Sequence, residues 1–370
     1  MCFTEENPAK LLVVGTGKRR VMCVKVDSGA FVGELMPPDA SALCCDVKGK
    51  KPFTLLYSGE DREIKVHKGA GKFKHEKSIP HAHEGFITDM MFTPNGNHFV
   101  SVSQDKSIKI WDAETYEQLI HKEGAHGMTI IDCSFDKDED LVTCSSDRTV
   151  KSWKINYDDK TIDELNTFTY SDFDNEQYTD NVDKQILGVK YHTDTNSYLG
   201  IGHAYSDIMV WTKGGDTKPA HVLRGHKNVT TKVLQFGKDS SLFVSCDQDG
   251  RLFTWDARQG TNLSNLKRPT GIFKHKIHIV AADCNEKNVY TGSADQEIMQ
   301  WGRNAADPTL LEPCLPELLK KDSSVHKMIA TDEKVYLLFL NRSLEICNAD
   351  NIAEVLVQKD KMADLGAGKG

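Results

Sequence analysis

The chain has 370 residues, with 46 basic and 54 acidic side chains and a formal net charge of −8. This length suits one large all-β domain or two ordinary ones. The acidic balance disfavours nucleic acid or an anionic membrane as the main partner. No secretory signal opens the sequence, and its apolar runs have only the length of strands. We therefore expect a soluble cytoplasmic protein.

The ten cysteines are scattered, and none forms a C-x-x-C pair. Several, such as Cys144 and Cys246, lie within apolar strand patterns. This usage predicts buried, reduced thiols rather than a disulfide framework or a zinc site. We expect no metal and no cofactor.

The first predicted elements are weak copies of a hairpin unit. Residues 2–26, CFTEENPAKLLVVGTGKRRVMCVKV, predict a unit whose innermost strand is cut to its last residues. The next copy, LLYSGEDREIKVHKG (residues 55–69), has Asp61 in its turn and His67 in the position where later copies have tryptophan.

Clear copies of the repeat follow. They are HFVSVSQDKSIKIWD (98–112), DLVTCSSDRTVKSWK (140–154), LFVSCDQDGRLFTWD (242–256) and NVYTGSADQEIMQWG (288–302). In each copy an apolar run leads to a turn with Asp and then to an alternating run that ends with Trp. Alternation with period two predicts strands, and the short polar turns predict hairpins.

The tryptophans mark the repeat length. All five close a copy, at Trp111, Trp153, Trp211, Trp255 and Trp301, and the intervals between them are 42, 58, 44 and 46 residues. This spacing is typical of WD40 repeats. We explain the long interval by an acidic insertion loop at about residues 156–183. The copy ending at Trp211 has Tyr205 in place of Asp, and the one at 334–350 lacks the polar residues.

These repeats predict an all-β fold, a WD40 β-propeller over residues 1–350, with a terminal strand and loose tail at 351–370. About eight hairpin units can be counted, the first incomplete. We expect seven complete blades with strand sharing between the termini, because closure removes exposed sheet edges. Eight blades or an incompletely closed ring are the alternatives.

A polar set recurs in the four clear copies, with the hydroxyl residue four positions before Asp and Asp six before Trp. Buried polar groups need partners, so each set is expected to form a hydrogen-bonded chain inside a blade. The sets are His83, Ser101, Asp105, Trp111; His126, Thr143, Asp147, Trp153; His226, Ser245, Asp249, Trp255; and His275, Thr291, Asp295, Trp301.

A catalytic interpretation of these sets is disfavoured, because four copies of a Ser-His-Asp triad in one chain make no sense as one active site. A propeller enzyme would need carboxylates or histidines outside the sets, and the sequence offers no such cluster. His75 and His81 lie near His83, but they lack the ligand spacing of a zinc site. We expect no enzymatic activity.

One junction resembles a particular family. The run from Ser58 to Asp105, with its Lys-Phe-Lys strand and His-x-x-Phe loop, is similar to a blade junction of actin-interacting protein 1. DKQILGV (183–189) and KPAHVLRGHKNVTTKVLQF (218–236) resemble later steps of that family, in the same order. The similarity runs from about residue 3 to 350. It covers the first of the family's two linked propellers, without its opening blade, and leaves out most of the second.

The resemblance implies a non-enzymatic adaptor that binds actin filaments and cooperates with actin-depolymerising factor/cofilin in filament disassembly, at the cytoskeleton. It carries over Asp61, Lys72, Phe73 and Phe86 as actin-contact candidates, clustered near one blade junction. Aromatic side chains supply buried area in an interface, while charges supply orientation.

Two alternatives remain open from the residues themselves. Phe73 fits an outer strand that packs on its own sheet, and Phe86 fits a gap between blades. For the whole chain, the alternative function is a general WD-repeat scaffold in another multiprotein complex.

Overall fold

The computed structural model of the protein describes residues 2–3, 11–16, 20–25, 31–35, 42–48, 52–70, 73–169, 185–202, 207–226, 229–235, 242–262, 275–304, 311–315, 319–341 and 343–359. All the regular secondary structure in these ranges is β-strand. No helix in this part of the chain has the length and apolar character required to cross a membrane.

The strands of the first four sheets are β1 (Cys2–Phe3), β2 (Leu11–Thr16), β3 (Arg20–Lys25), β4 (Phe31–Leu35); β5 (Ala42–Lys48), β6 (Phe53–Gly59), β7 (Ile64–Gly69), β8 (Phe73–Ile79); β9 (Ile87–Phe92), β10 (His98–Ser103), β11 (Ile108–Asp112), β12 (Gln118–Lys122); and β13 (Ile130–Phe135), β14 (Leu141–Ser145), β15 (Thr149–Asn156), β16 (Thr161–Thr169).

The remaining sheets contain β17 (Ile186–His192), β18 (Ser197–Gly202), β19 (Ile208–Thr212), β20 (His221–Leu223); β21 (Thr230–Gln235), β22 (Leu242–Asp247), β23 (Leu252–Asp256), β24 (Thr261–Asn262); β25 (Ile279–Cys284), β26 (Asn288–Ser293), β27 (Glu297–Arg303), β28 (Leu311–Pro313), β29 (Leu319–Lys320); and β30 (Val325–Ala330), β31 (Lys334–Phe339), β32 (Leu344–Asn348), β33 (Val355–Lys359).

The all-β propeller class is confirmed by a series of antiparallel sheets, each built from strands that are consecutive in the chain. The described strands form eight sheets, which we number 1 to 8 in chain order. Each sheet uses strands that are consecutive in the chain, so no described sheet shares strands between the termini, contrary to our expectation. The N-terminal run forms a sheet of its own, in which β2 pairs with β3, β3 pairs with β4, and the two-residue β1 adds to β2.

The chain divides into two compact units. Among the described residues, the first contains sheets 1–4 with Gln185–Tyr191, and the second contains the residues from His192 onward. Inside each unit, neighbouring sheets bury apolar side chains against one another: Ile110 of sheet 3 and Trp153 of sheet 4 share one core cluster, and Tyr290 of sheet 7 and Leu337 of sheet 8 share another. Burial of this apolar surface stabilises the stacking of the sheets.

The predicted insertion loop at 156–183 is partly wrong. Residues 161–169 form β16, which pairs antiparallel with β15 and buries Ile162 and Phe168. The exposed Asp and Glu residues of this strand obscure its apolar pattern in the sequence, because only one face of an outer strand needs to be apolar. Residues 170–184 lie outside the described ranges. In the predicted tail, Val355–Lys359 forms β33, as a terminal strand was expected to do.

Candidate functional site

The first two polar sets form closed hydrogen-bonded chains. In sheet 3, Trp111 Nε1 donates to Ser101 Oγ (2.9 Å), which lies 2.7 Å from His83 Nε2, and His83 Nδ1 lies 2.9 Å from Asp105. The second chain is equivalent, with distances of 2.9, 2.8 and 3.0 Å among Trp153, Thr143, His126 and Asp147. These side chains are thus used within their own sheets.

The pKa directions follow from this burial. Desolvation lowers the pKa of His83 despite its bond with Asp105, so the imidazole is neutral at pH 7. Desolvation would raise the pKa of Asp105, but hydrogen bonds from His83 and Ser107 outweigh it and hold this pKa well below the usual range. A neutral His with an ionised Asp is what a structural chain requires.

The third set uses a different aspartate from the one predicted. His226 Nδ1 lies 2.7 Å from Asp247, not from Asp249, while Ser245 joins His226 and Trp255 as expected. Asp249 instead lies 3.6 Å from Arg251 and is partly exposed. The other sets have Ser in the position of Asp247, and the first two have a hydroxyl residue in that of Arg251; here Asp247 reaches the imidazole directly.

The fourth set is only partly joined. Thr291 Oγ1 accepts from Trp301 Nε1 (2.9 Å) and lies 2.8 Å from His275 Nε2. No hydrogen bond between His275 and Asp295 is found among the described residues, and His275 Nδ1 has no partner there. Burial lowers the pKa of His275 to about 4.

Aspartates on the first strands link neighbouring sheets, a role the sequence analysis missed. Asp46 accepts from the backbone amide of Phe92 (2.8 Å), Asp89 from that of Cys133 (3.3 Å) and Asp132 from that of Val189 (3.0 Å). Asp283 does the same for Ala330 (2.8 Å) in the second unit. The available signal was an Asp recurring near the centre of a short apolar strand.

Asp61, the first contact candidate, is engaged within its own sheet. It lies in the turn between β6 and β7, and its carboxylate is 3.0 Å from Lys65 Nζ, which also lies 2.8 Å from Glu63. The Lys65 side chain is 3% exposed, so the two acids neutralise a buried ammonium group. Asp61 can therefore contribute to a surface mainly through the position of its turn.

Strand register separates the aromatic candidates. Ile64, just after the Asp61 turn, pairs with Ile79 at the end of β8, whereas Gly69 pairs with Phe73 at its start. Phe73 thus lies at the opposite end of β8 from the link that leads to Phe86. Seven residues of strand span roughly 20 Å. The predicted cluster of contact residues is therefore corrected. Asp61 and Phe86 lie at one end of the strands of sheet 2, and Phe73 lies at the other end. Lys72 is outside the described residues.

Phe73 is half-buried and packs against the core cluster of sheet 2 that contains Phe53 and Tyr57. The alternative of an outer-strand packing residue matches this environment. We expect Phe73→Ala to lower the free energy of unfolding by about 2 kcal/mol, less than the roughly 3–5 kcal/mol for a fully buried Phe. Urea unfolding would measure this, with the exposed neighbour Lys74→Ala as control. Equal stability of the two variants would contradict the packing role.

Phe86 is the exposed aromatic candidate, with 39% of its surface accessible. Its link is anchored, because its carbonyl accepts from Ser103 Oγ (2.9 Å) and from the amide of Gln104 (3.0 Å). Met128, 50% exposed, occupies the corresponding link before β13. Thr88 joins the two strand starts by donating to the carbonyl of Ile130 (2.7 Å). Two apolar side chains are thus presented on fixed backbone at neighbouring strand starts.

Comparisons with known proteins agree with the repeat pattern. The WD40 family, described as WD domain, G-beta repeat, matches residues 74–112, 117–154 and 217–256. A crystal structure of the computationally designed Ika8 protein superposes with a TM-score of 0.68 over 92% of this chain and 93% of that one, at 20% identity. At this identity the match shows the fold alone.

Among curated proteins, the 66 kDa stress protein of Physarum polycephalum is 31% identical over 68% of this chain and 39% of its own length. WD repeat-containing protein 1 of Gallus gallus is 28% identical over 71% and 41%. Actin-interacting protein 1 of Drosophila melanogaster is 26% identical over 83% and 48%. The chain therefore spans less than half the length of these relatives. It contains WD40 repeats in an all-β fold, and much of its sequence is similar to actin-interacting protein 1.

Proposed function

We propose that the chain binds actin filaments, acts together with actin-depolymerising factor/cofilin at the cytoskeleton in the cytoplasm, and promotes filament disassembly without chemistry of its own. The observation that carries this proposal is the similarity to proteins named actin-interacting protein 1, which extends in order across most of the chain. Nucleic acid and membranes are not part of the proposal.

The proposed contact is the apolar pair Phe86 and Met128, and the Asp61 turn lies at the same end of the strands of sheet 2 as the link to Phe86. An exposed aromatic on fixed backbone is a suitable anchor, because little conformational entropy is lost when a partner covers it. Phe73 remains a candidate only for a second, separate contact at the other end of β8, and Lys72 remains a candidate from the resemblance alone.

Disassembly requires no catalytic residue in this scheme. A protein that binds decorated or distorted filament ends more tightly than intact filament shifts the filament toward those states by its difference in affinity. The effect should therefore grow when cofilin increases the population of the favoured filament state.

Co-sedimentation with actin filaments tests the proposal. We expect the unmodified chain to pellet with cofilin-decorated filaments, and Phe86→Ala to bind about 10- to 30-fold more weakly, as for an aromatic interface anchor worth about 2 kcal/mol. Leu165→Ala is the matched control, because Leu165 is similarly exposed (46%) but lies on the outer strand β16.

The unmodified chain remaining in the supernatant with decorated filaments would sink the actin proposal. An affinity purification that yields another defined assembly and no actin would then favour the general scaffold function. Equal weakening by Phe86→Ala and Leu165→Ala would reject the contact while keeping the binding.

A further inference from the structure

A buried group of potential metal ligands distinguishes sheet 7 from its sister sheets. His275 precedes β25. Asp295 lies in the turn between β26 and β27, and Glu297 is the first residue of β27; Gln296 between them has a φ of 72°. One nitrogen or carboxylate oxygen from each of the three lies within 4.8 Å of those from the other two. All three residues belong to the second unit.

The polar atoms of this group are short of partners. His275 Nδ1, Asp295 Oδ2 and Glu297 Oε2 are buried without a hydrogen-bond partner among the described residues. His275 is 0% exposed and Glu297 is 7% exposed. The other carboxylate oxygens are engaged: Lys276 Nζ is 3.6 Å from Glu297 Oε1, and Ser293 Oγ and the amide of Glu297 contact Asp295 Oδ1. The exposed Lys276 contacts only Oε1 of Glu297, so Asp295 Oδ2 and Glu297 Oε2 are left without a donor among the described residues, which is costly for buried polar atoms.

Sheets 3 and 4 have a hydroxyl residue at the position of Glu297. Four residues before Trp, sheets 3 and 4 have Ser107 and Thr149, whose hydroxyls bond both the aspartate and the histidine of their set. Glu297 replaces this hydroxyl donor with an acceptor. The chain of donors is thereby broken in sheet 7.

Sheet 2 shows what the fold does with an acid pair at these positions. Asp61 and Glu63 correspond to Asp295 and Glu297, and both bond the ammonium group of Lys65. The position of Lys65, two before the end of the repeat motif, is Met299 in sheet 7. Sheet 7 thus retains the two acids and lacks the internal cation.

We propose that His275, Asp295 and Glu297 bind a divalent transition-metal ion of the zinc class. An imidazole nitrogen with two carboxylates is a donor set such ions accept, and three protein ligands leave one position for water. Ligand atoms around a tetrahedral zinc ion lie roughly 3.3 Å apart, so the three side chains need to close by only a small shift.

The hydrogen bond made by the other nitrogen of His275 fits this role. With Nδ1 on the metal, His275 carries its proton on Nε2 and donates it to Thr291 Oγ1, which also accepts from Trp301. A metal-bound histidine is commonly oriented by such a bond from its other nitrogen. The link that carries His275 also packs closely against sheet 6, because a side chain at Gly250 would clash with the carbonyls of His275 and Ile277.

Equilibrium dialysis of the reduced chain against Zn²⁺, with metal analysis, tests the proposal. We expect the unmodified chain to hold one equivalent more than Glu297→Thr, which restores the hydroxyl of sheet 4, and more than Met299→Lys, which imports the cation of sheet 2. Glu63→Gln is the matched control and should bind as the unmodified chain does. Zinc should raise the Tm of the unmodified chain but not that of Glu297→Thr.

Cobalt(II) provides a check against cysteine binding. The absorption difference between the unmodified chain and Glu297→Thr should contain ligand-field bands without thiolate charge-transfer bands. Equal zinc stoichiometry in the unmodified chain and both variants, or a difference spectrum dominated by thiolate bands, would overturn the proposal. So would an apo Glu297→Thr that is more stable than the unmodified chain while neither of them binds zinc.

Discussion

Asp247→Ala is expected to lower the free energy of unfolding by about 3–5 kcal/mol, because three buried hydrogen-bond donors lose their carboxylate acceptor at once. Asp247 is 0% exposed and accepts from His226 Nδ1 (2.7 Å) and from the amides of Asp249 (2.9 Å) and Arg251 (2.8 Å). Alanine leaves all three donors without their acceptor in a desolvated turn. Because Trp255 and Phe253 pack on the His226 ring, the damage extends into the aromatic core.

Asp249→Ala is the matched control, two residues away in the same turn. Its carboxylate is partly exposed and lies 3.6 Å from Arg251, so we expect a change of less than about 1 kcal/mol. Chemical denaturation followed by tryptophan fluorescence gives both values. The motif spacing alone predicts that Asp249→Ala loses more stability than Asp247→Ala. A larger loss in Asp249→Ala would therefore contradict the assignment of Asp247 as the partner of His226.

The hydroxyl–histidine–tryptophan parts of the polar sets could be predicted from spacing because strand register fixes them. Ser101 and Trp111 lie on paired strands joined by a short turn, so ten residues of separation always bring their side chains together. The aspartate was less certain for a physical reason. Asp247 and Asp249 lie two residues apart in one turn, and it is Asp247, in the place of the Ser of the other sets, that reaches the imidazole of His226.

The candidate contact surface could be predicted only in part. The sequence placed Phe73 and Phe86 at one junction, but the edge on which each lies depends on the length and register of β8. The number of sheets had the same limit, since it depended on whether the strands near the N-terminus pair with one another or with those near the C-terminus. Such features follow from tertiary pairing, which local patterns do not encode.

The inner-strand aspartates provide the other large expected effect, which is on pH dependence. Desolvation first, and then the negative charge of Asp132, raise the pKa of Asp89 to about 7. In the unfolded chain the same carboxyl has an ordinary pKa near 4. The folded protein therefore retains a proton between about pH 4 and 7 that the unfolded chain has released, and stability falls as the pH rises through this window.

Asp89→Asn should remove this contribution, because an amide keeps the acceptor for the Cys133 amide and resembles the protonated acid. Its stability relative to the unmodified protein should rise by about 1–4 kcal/mol between pH 5 and pH 8. Using the difference between the two proteins cancels the opposite trend from buried histidines such as His83, whose lowered pKa makes stability increase with pH.

Asp46→Asn is the control for that measurement, since Asp46 makes the equivalent bond to the Phe92 amide on the preceding strand. Urea unfolding at several pH values would give the two difference curves. A steep curve for Asp89→Asn beside a flatter one for Asp46→Asn would locate the retained proton at the Asp89–Asp132 pair. Parallel curves would mean that the charge of Lys190, whose own pKa is raised chiefly by Asp132, neutralises the pair and lets both acids ionise together.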